Sequence, residues 1–172
     1  DDYLSPYNNI TARMLWGRMP IERATALTYY HPGAYSSLLM YKLKYGNEPD
    51  IGVWFGEYMA NSLMPYGVLD DIDMVIPLPI HKRRERERGY NQSQEIARGI
   101  GDISSIKVQN NIVERSRYTV SQTKLTHTDR TKNVKGAFTL LRPDAIRGKH
   151  VLLVDDIITT GATIAACANE LA

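Results

Sequence analysis

The spacing of apolar residues in the first half of the chain predicts two helices. Within residues 51–64, apolar side chains recur every three or four positions, which is the repeat of one helical face: Ile51, Trp54, Phe55, Tyr58 and Met59. Pro65 and Gly67 follow and end this helix. A second helix is predicted over residues 34–43, closed by Gly46. The two predicted helices thus occupy most of residues 34–64.

The residues before this region show weaker patterns. Residues 1–23 carry little periodicity and several turn-forming residues, so we expect an arm without a functional role, followed by one domain over residues 24–172. Residues 24–30 mix β-branched and aromatic side chains and stop at His31-Pro32-Gly33. This composition predicts a strand that enters a turn.

Two strand-loop-helix units follow. Residues 73–77 form a short apolar run, then a charged loop, then a helix over residues 91–100 with Asn91 as its N-cap and glycines 99 and 101 at its end. Residues 151–154 form a second buried strand, followed by a glycine-bearing turn and a helix. Two such units predict an α/β fold with a parallel sheet flanked by helices.

Composition narrows the class of protein. With 172 residues and 43% hydrophobic side chains the chain fits one folded domain, and its formal charge of +2 means that any basic surface must be local. Cys167 is the single cysteine, which excludes an intrachain disulfide and a zinc site with paired cysteines. The four histidines lack ligand spacing, and we find no membrane span or signal-peptide pattern. We expect a cytoplasmic protein.

The richest chemistry lies at residues 151–163, which read VLLVDDIITTGAT. In a parallel sheet, ligands bind beyond the carboxyl ends of the strands, where Asp155 and Asp156 would lie. Carboxylates accept hydrogen bonds from sugar hydroxyls or hold a divalent cation. Gly161 allows a tight turn, and the amides and threonine hydroxyls around it form an anion site. The pattern therefore predicts a ribose 5-phosphate site.

The same run allows three other interpretations. A two-component receiver domain also reads VLLVDD, but only 16 residues follow Asp156, too few for that domain. A Walker B strand would need a GxxxxGK[ST] loop, and Gly148-Lys149 is followed by His150 instead. A buried strand with a solvated acidic turn is the alternative without function.

The acid pair and turn closely resemble the signature of the type I phosphoribosyltransferases. The resemblance implies a parallel sheet flanked by helices and covered by a hood loop. It also implies that Asp155 and Asp156 contact the ribose hydroxyls and the catalytic Mg²⁺, directly or through ligand or water. The residues of the glycine turn would enclose the 5-phosphate: Thr159, Thr160, Gly161, Ala162 and Thr163.

Residues 81–91 read HKRRERERGYN and carry five cations against two acids. A solvated charge run is the simplest interpretation. However, the segment follows a buried strand, so it should lie at the same sheet edge as the phosphate turn, and pyrophosphate needs several donors. We assign pyrophosphate binding to Lys82, Arg83, Arg84 and Arg88. Contact with nucleic acid is the alternative role of these cations.

The order of three segments is similar to the ComF family of competence-associated, phosphoribosyltransferase-like proteins. These segments are PLPIHKRRERERGYNQSQEIA, RYTVSQTKLTHTDRTKNVKGAF and the terminal VLLVDDIITTGAT. By this resemblance, residues 115–138 form a flexible catalytic hood loop, with matching positions at Gln122, Thr123, Arg130 and Asn133. The four-cysteine zinc module common in the family is not in this sequence. The family fold continues with a further strand, so we expect a truncation after Ala172.

Together these features predict a Mg²⁺-assisted phosphoribosyltransferase that binds 5-phosphoribosyl-1-pyrophosphate or a nucleotide. A base nitrogen would attack C1 of the ribose while pyrophosphate leaves, with Asp155 or Asp156 as the candidate general base. The alternative is a non-catalytic binding protein that acts in DNA uptake and contacts single-stranded DNA. The acceptor base is unassigned, and so is the oligomeric state, with a homodimer as one option.

Overall fold

The computed structural model describes residues 5–117 and 136–172, which form a mixed α/β fold. The helices are α1 (Ile10–Leu15), α2 (Tyr35–Tyr45), α3 (Asp50–Leu63), α4 (Lys82–Arg88), α5 (Gln92–Ser104), α6 (Pro143–Ile146) and α7 (Ala162–Leu171). The strands are β1 (Met74–Pro77), β2 (Val113–Arg115), β3 (Phe138–Leu140) and β4 (Val151–Val154). The α/β class expected from the sequence is confirmed.

The two predicted buried strands pair with each other in parallel. Met74 of β1 lies opposite Val151 of β4, and Pro77 lies opposite Val154. Along its other edge, β1 makes a parallel bridge from Val75 to Val108. The carboxyl ends of β1 and β4 therefore share one edge of the sheet, as the sequence predicted. This edge, called the carboxyl edge below, receives both the charged segment and the acid pair.

Helix α5 connects this sheet to the rest of the core, because it packs against α3 on one side and against β1 and β4 on the other. Asn91 caps it as predicted, accepting a hydrogen bond from the Ser93 amide at 3.2 Å. The predicted end near Gly99 is wrong, since the helix continues to Ser104. Gly99 lies where α5 crosses α3: a Cβ there would be 2.0 Å from the Val53 carbonyl oxygen. The glycine permits a close helix crossing rather than ending a helix.

The amino-terminal region differs from its prediction in two ways. Residues 24–30 form no strand, although the Ala24 amide donates to the Pro6 carbonyl at 3.0 Å and keeps the segment in place. β-Branched composition alone does not make a strand when no ladder partner is adjacent. The expected arm contains the short helix α1, in which Ala12 and Leu15 are buried.

The segment predicted as a charged loop is the helix α4. His81 caps it, since its Nδ1 accepts from the Arg83 amide at 3.2 Å, and Gly89 ends it with a φ of 85°. Arg83 and Glu87 pair one turn apart at 3.0 Å. Ion pairs at this spacing stabilise an exposed helix that has no apolar stripe. Apolar periodicity therefore did not predict α4.

The ends of the predicted hood loop are strands. β2 and β3 pair antiparallel, with Arg115 opposite Phe138. The four hood positions, Gln122, Thr123, Arg130 and Asn133, lie outside the described residues. The helix predicted after the phosphate turn is α7, which begins directly after Gly161.

Candidate functional site

Asp155 and Asp156 follow β4 at the carboxyl edge and have different partners. Asp155 Oδ1 accepts hydrogen bonds from the Ser93 hydroxyl at 3.3 Å and from the Asp156 amide at 2.8 Å. The Asp156 carboxylate forms an ion pair with Lys44, whose Nζ lies 3.0 Å from Oδ2. Helices α2 and α5 thus each provide a polar group that positions one of the two acids.

The surroundings of Asp155 favour the neutral form of its carboxyl group. Burial raises the pKa of Asp155 to about 7, and the neighbouring Asp156 charge adds to the rise. The amide of Asp156, the cation of Lys44 and the hydroxyl of Ser93 oppose it. Asp155 therefore exchanges its proton near neutral pH, which is the property expected of a general acid or base.

A cavity of about 570 Å³ lies between the end of α2 and α4. Its wall carries three cationic side chains, Lys44, Arg84 and Arg88. The Arg88 guanidinium stacks over the Tyr45 ring at 5.7 Å and donates to Gln92 Oε1 at 2.7 Å. Because Lys44 also pairs with Asp156, the cationic cavity and the acid pair are adjacent.

The four cations predicted to bind pyrophosphate separate into two groups. Arg84 and Arg88 are one turn apart on α4 and both line this cavity. Lys82 instead lies 3.5 Å from Glu114 with 80% of its side chain exposed, and Arg83 pairs with Glu87. The structure places Arg84 and Arg88 in the cavity that Lys44 joins to the acid pair, whereas Lys82 and Arg83 pair with acids outside its wall or at its rim.

The predicted phosphate turn has the tight geometry that its glycine suggested. Gly161 has a φ of +72°, and a Cβ on it would be 2.7 Å from Leu15 Cδ2. The Thr160 hydroxyl accepts from the Ala162 amide at 3.4 Å, and the turn leads into the ten residues of α7. The positive φ is the main reason for a glycine here, since the end of the Leu15 side chain can move aside.

The amino-terminal arm contacts this turn, which the sequence did not reveal. Arg18 Nη1 donates to the Thr160 carbonyl at 2.5 Å, and Asn169 Nδ2 of α7 donates to the Arg18 carbonyl at 2.8 Å. A positive charge from the arm therefore lies beside the phosphate turn. The sequence did not predict this contact, because α1 has only six residues and so shows little apolar periodicity.

Three further side chains near the acids were missed: Lys44, Ser93 and Arg115. Burial lowers the pKa of Arg115, and the Arg84 charge lowers it further while Asp155 opposes the change, so these three charges lie close together. Ser93 could have been found, because it opens the helix that follows a strand to the carboxyl edge. Lys44 and Arg115 carry no local signal, since only the tertiary fold brings them here.

The donor set at the carboxyl edge fits a hard cation. Two adjacent carboxylates and the threonine hydroxyls of the turn are oxygen donors, which Mg²⁺ prefers, and Mg²⁺ commonly keeps water and ligand phosphates in its shell. Because Lys44 already pairs with Asp156, the acids are better arranged to hold Mg²⁺ through water or ligand than as a closed cage.

A second group of candidate ligands lies at the opposite end of the sheet. Glu22, Asp71 and His150 have ligand atoms within 4.8 Å of one another. His150 Nδ1 faces Asp71 at 3.0 Å and Nε2 faces Glu22 at 3.3 Å, while Arg23 also bonds Asp71. With both ring nitrogens and one carboxylate already in contact with other groups, this is a polar cluster that ties residues 22 and 23 to the sheet.

Across residues 5–117 and 136–172, every helix is too short or too polar to cross a bilayer.

The fold and the site define an α/β protein with an acid pair and a glycine turn at the carboxyl edge of a parallel sheet. The DNA utilization protein YhgH of Escherichia coli O157:H7 is 28% identical over 155 residues, which cover 88% of this chain and 66% of YhgH. Competence protein F of Haemophilus influenzae is 38% identical over 93 residues, which cover 54% of this chain and 41% of that protein. These homologues support assignment of the chain to the ComF family. Neither a family model nor a solved structure matches the chain.

Proposed function

We propose that the chain binds 5-phosphoribosyl-1-pyrophosphate with Mg²⁺ at the carboxyl edge, in a fold of the type I phosphoribosyltransferase kind. One observation carries the proposal. Lys44 pairs with Asp156 at 3.0 Å and also lines the cavity that holds Arg84 and Arg88. Groups suited to a sugar diol and groups suited to pyrophosphate are therefore adjacent, joined through Lys44.

Each part of this surface has a chemical role in the proposal. Asp155 and Asp156 accept hydrogen bonds from the ribose hydroxyls, and the turn of residues 159–163 receives the 5-phosphate. Arg84 and Arg88 donate to the pyrophosphate, since guanidinium groups form bidentate bonds with phosphate oxygens. Arg18, next to the turn, adds a positive charge to the phosphate end.

We extend the proposal to transfer of the phosphoribosyl group to a nucleobase-like acceptor. The acceptor nitrogen forms a bond to C1 of the ribose as the bond from C1 to pyrophosphate breaks. Mg²⁺, when bound, supplies positive charge to the pyrophosphate oxygens. Asp155, with its pKa near 7, takes the proton that the acceptor nitrogen loses. Arg84 and Arg88 stabilise the leaving group in place.

Isothermal titration with 5-phosphoribosyl-1-pyrophosphate and Mg²⁺ tests binding. We expect the double variant Asp155→Asn/Asp156→Asn to bind about tenfold or more weakly, because each lost contact involves a charged acceptor. Asp144→Asn is the matched control, since Asp144 is an exposed acid that pairs with Arg147 away from the site. Equal affinity of the double variant and wild type would falsify the site assignment.

A second measurement separates an enzyme from a binding protein. Wild type is supplied with 5-phosphoribosyl-1-pyrophosphate, Mg²⁺ and a panel of nucleobases, and the release of free pyrophosphate is followed. Release that depends on one base supports transfer. Firm binding without release for any base would leave a non-catalytic binding protein.

Contact with single-stranded DNA is a second candidate function. The matched relatives are named for DNA utilization and for competence, and the matches span 66% and 41% of their lengths. In this chain, the cations of α4 are the observation in its favour, because Lys82 and Arg86 extend from an exposed helix beside Arg84 and Arg88. Clustered cations bind nucleic-acid phosphates in a salt-dependent manner.

A further inference from the structure

Helix α2 exposes a row of aromatic side chains that its own packing does not explain. Tyr35, Tyr41 and Tyr45 are 86%, 62% and 67% exposed, and Leu38 between them is 51% exposed. Positions spaced in this way lie on one side of a helix. The opposite side carries Leu43, which is fully buried in the core. The exposed row is thus separate from the residues that hold α2 in the fold.

The rings at the carboxyl end of this row are already arranged by contacts. The centroids of Tyr41 and Tyr45 are 5.0 Å apart, with the ring planes tilted by 48°. The Arg88 guanidinium lies over the Tyr45 ring, 5.7 Å from the ring centroid. Partly ordered rings lose less side-chain entropy when a flat ligand stacks on them.

Cations flank this aromatic row. Lys42 lies on the same side of α2, where it pairs with Glu48 at 3.3 Å and remains half exposed. Lys44, Arg84 and Arg88 line the cavity next to Tyr45. Exposed aromatic rings beside a row of cations complement a chain that alternates flat bases with phosphates. The charge pattern favours a nucleic-acid strand, because the cations beside the rings complement the phosphates of its backbone.

We propose that this surface, made of Tyr35, Leu38, Tyr41, Lys42 and Tyr45, is a stacking surface for a single nucleic-acid strand. The strand continues from it towards Arg88. The ten residue steps from Tyr35 to Tyr45 span roughly 15 Å, which corresponds to about four nucleotides at the spacing of one strand in a duplex. The proposal rests on the second candidate function, contact with DNA, and names the surface that makes the contact. It does not depend on binding of phosphoribosyl pyrophosphate.

Fluorescence anisotropy with a labelled oligothymidine strand tests the surface. We expect Tyr35→Ala/Tyr41→Ala to lower affinity about tenfold or more, because stacking of each base contributes substantially to such complexes. Tyr35→Phe/Tyr41→Phe keeps the rings and should bind like wild type. Tyr66→Ala is the control for loss of an exposed aromatic ring, since Tyr66 is 55% exposed on the connection that leads to the amino end of β1.

The outcomes distinguish this proposal from the others. No strand binding by wild type overturns both the surface and the second candidate function. Binding by wild type with equal affinity in the double alanine variant overturns the surface alone. Weak binding by the phenylalanine variant as well contradicts stacking. Titration of the double alanine variant with phosphoribosyl pyrophosphate should give the wild-type affinity, since neither tyrosine lines the cationic cavity.

Discussion

At the scale of single residues, two adjacent aspartates have acquired different properties from their surroundings. Asp156 has a cation at 3.0 Å, whereas Asp155 has a hydroxyl and an amide as its nearest donors. The sequence predicted where the pair would lie, because any residue that follows a parallel strand reaches the carboxyl edge. It did not predict the difference between the two acids, which depends on the burial of Asp155 and on the tertiary partners of each acid.

Asp155 should make stability depend on pH. Its pKa rises from 3.8 to about 7 on folding, so the folded state keeps a proton that the unfolded state has lost between these values. Stability therefore falls as pH rises through this window. Asp155→Asn keeps the acceptor oxygen but removes the charge, and we expect it to melt a few degrees above wild type at pH 8. At pH 5 the difference should be smaller. Circular dichroism melts measure both.

Asp144→Asn is the control for this pH dependence, since its exposed carboxylate should leave the difference between pH 5 and pH 8 unchanged. A melting temperature of Asp155→Asn that lies below wild type by the same amount at both pH values would contradict the pKa assignment.

At the scale of elements, the crossing of α3 and α5 depends on two glycines. A Cβ on Gly56 would be 2.0 Å from the Ile96 carbonyl oxygen, and one on Gly99 equally close to the Val53 carbonyl oxygen. Backbone atoms of packed helices cannot move aside as the end of a side chain can. The same helix α5, which begins beside Ser93, packs against β1 and β4 on its other side.

Gly99→Ala should therefore destabilise the protein by about 1–3 kcal/mol or more, although alanine is the better helix former. Denaturant unfolding measures the change. Asn61→Ala, an exposed substitution on α3, should remain within about 0.5 kcal/mol of wild type. A Gly99→Ala protein as stable as wild type would show that the helices are farther apart than described.

Elements with a strong apolar signal were predicted well. The apolar stripe predicted α3, and short apolar runs predicted β1 and β4. Helix α4 was missed because it is stabilised by charge pairs and by the cap from His81 rather than by an apolar face. The strand at residues 24–30 was wrong because strand composition says nothing about whether a partner lies alongside.

At the scale of the whole molecule, the site draws on distant parts of the chain. Lys44 from α2 meets Asp156 after β4, and Arg18 from the arm meets Thr160 before α7. Separations of more than 100 residues leave no local pattern, so these contacts could not be predicted from spacing. The predicted motifs supply side chains at the carboxyl edge, and the fold supplies their counter-charges.

Lys44 is the residue that connects the acid pair with the cationic cavity. Lys44→Met keeps most of the side-chain volume but leaves Asp156 without this cation, so affinity for phosphoribosyl pyrophosphate should fall about tenfold. Lys42→Met is the matched control on the same helix, because Lys42 pairs with Glu48 instead. Isothermal titration compares the two. Equal affinities of the Lys44→Met and Lys42→Met variants would show that the cationic cavity is not part of the ligand site.

The central claim is that the acid pair, the glycine turn and the cationic cavity form one ligand site. A crystal structure with bound phosphoribosyl pyrophosphate and Mg²⁺ tests it most directly. The account predicts ribose hydroxyls within hydrogen-bond distance of Asp155 and Asp156, the 5-phosphate at residues 159–163, and pyrophosphate oxygens reaching Arg84 and Arg88. A ligand bound away from the carboxyl edge, or one that reaches the turn without touching either acid, would contradict the claim.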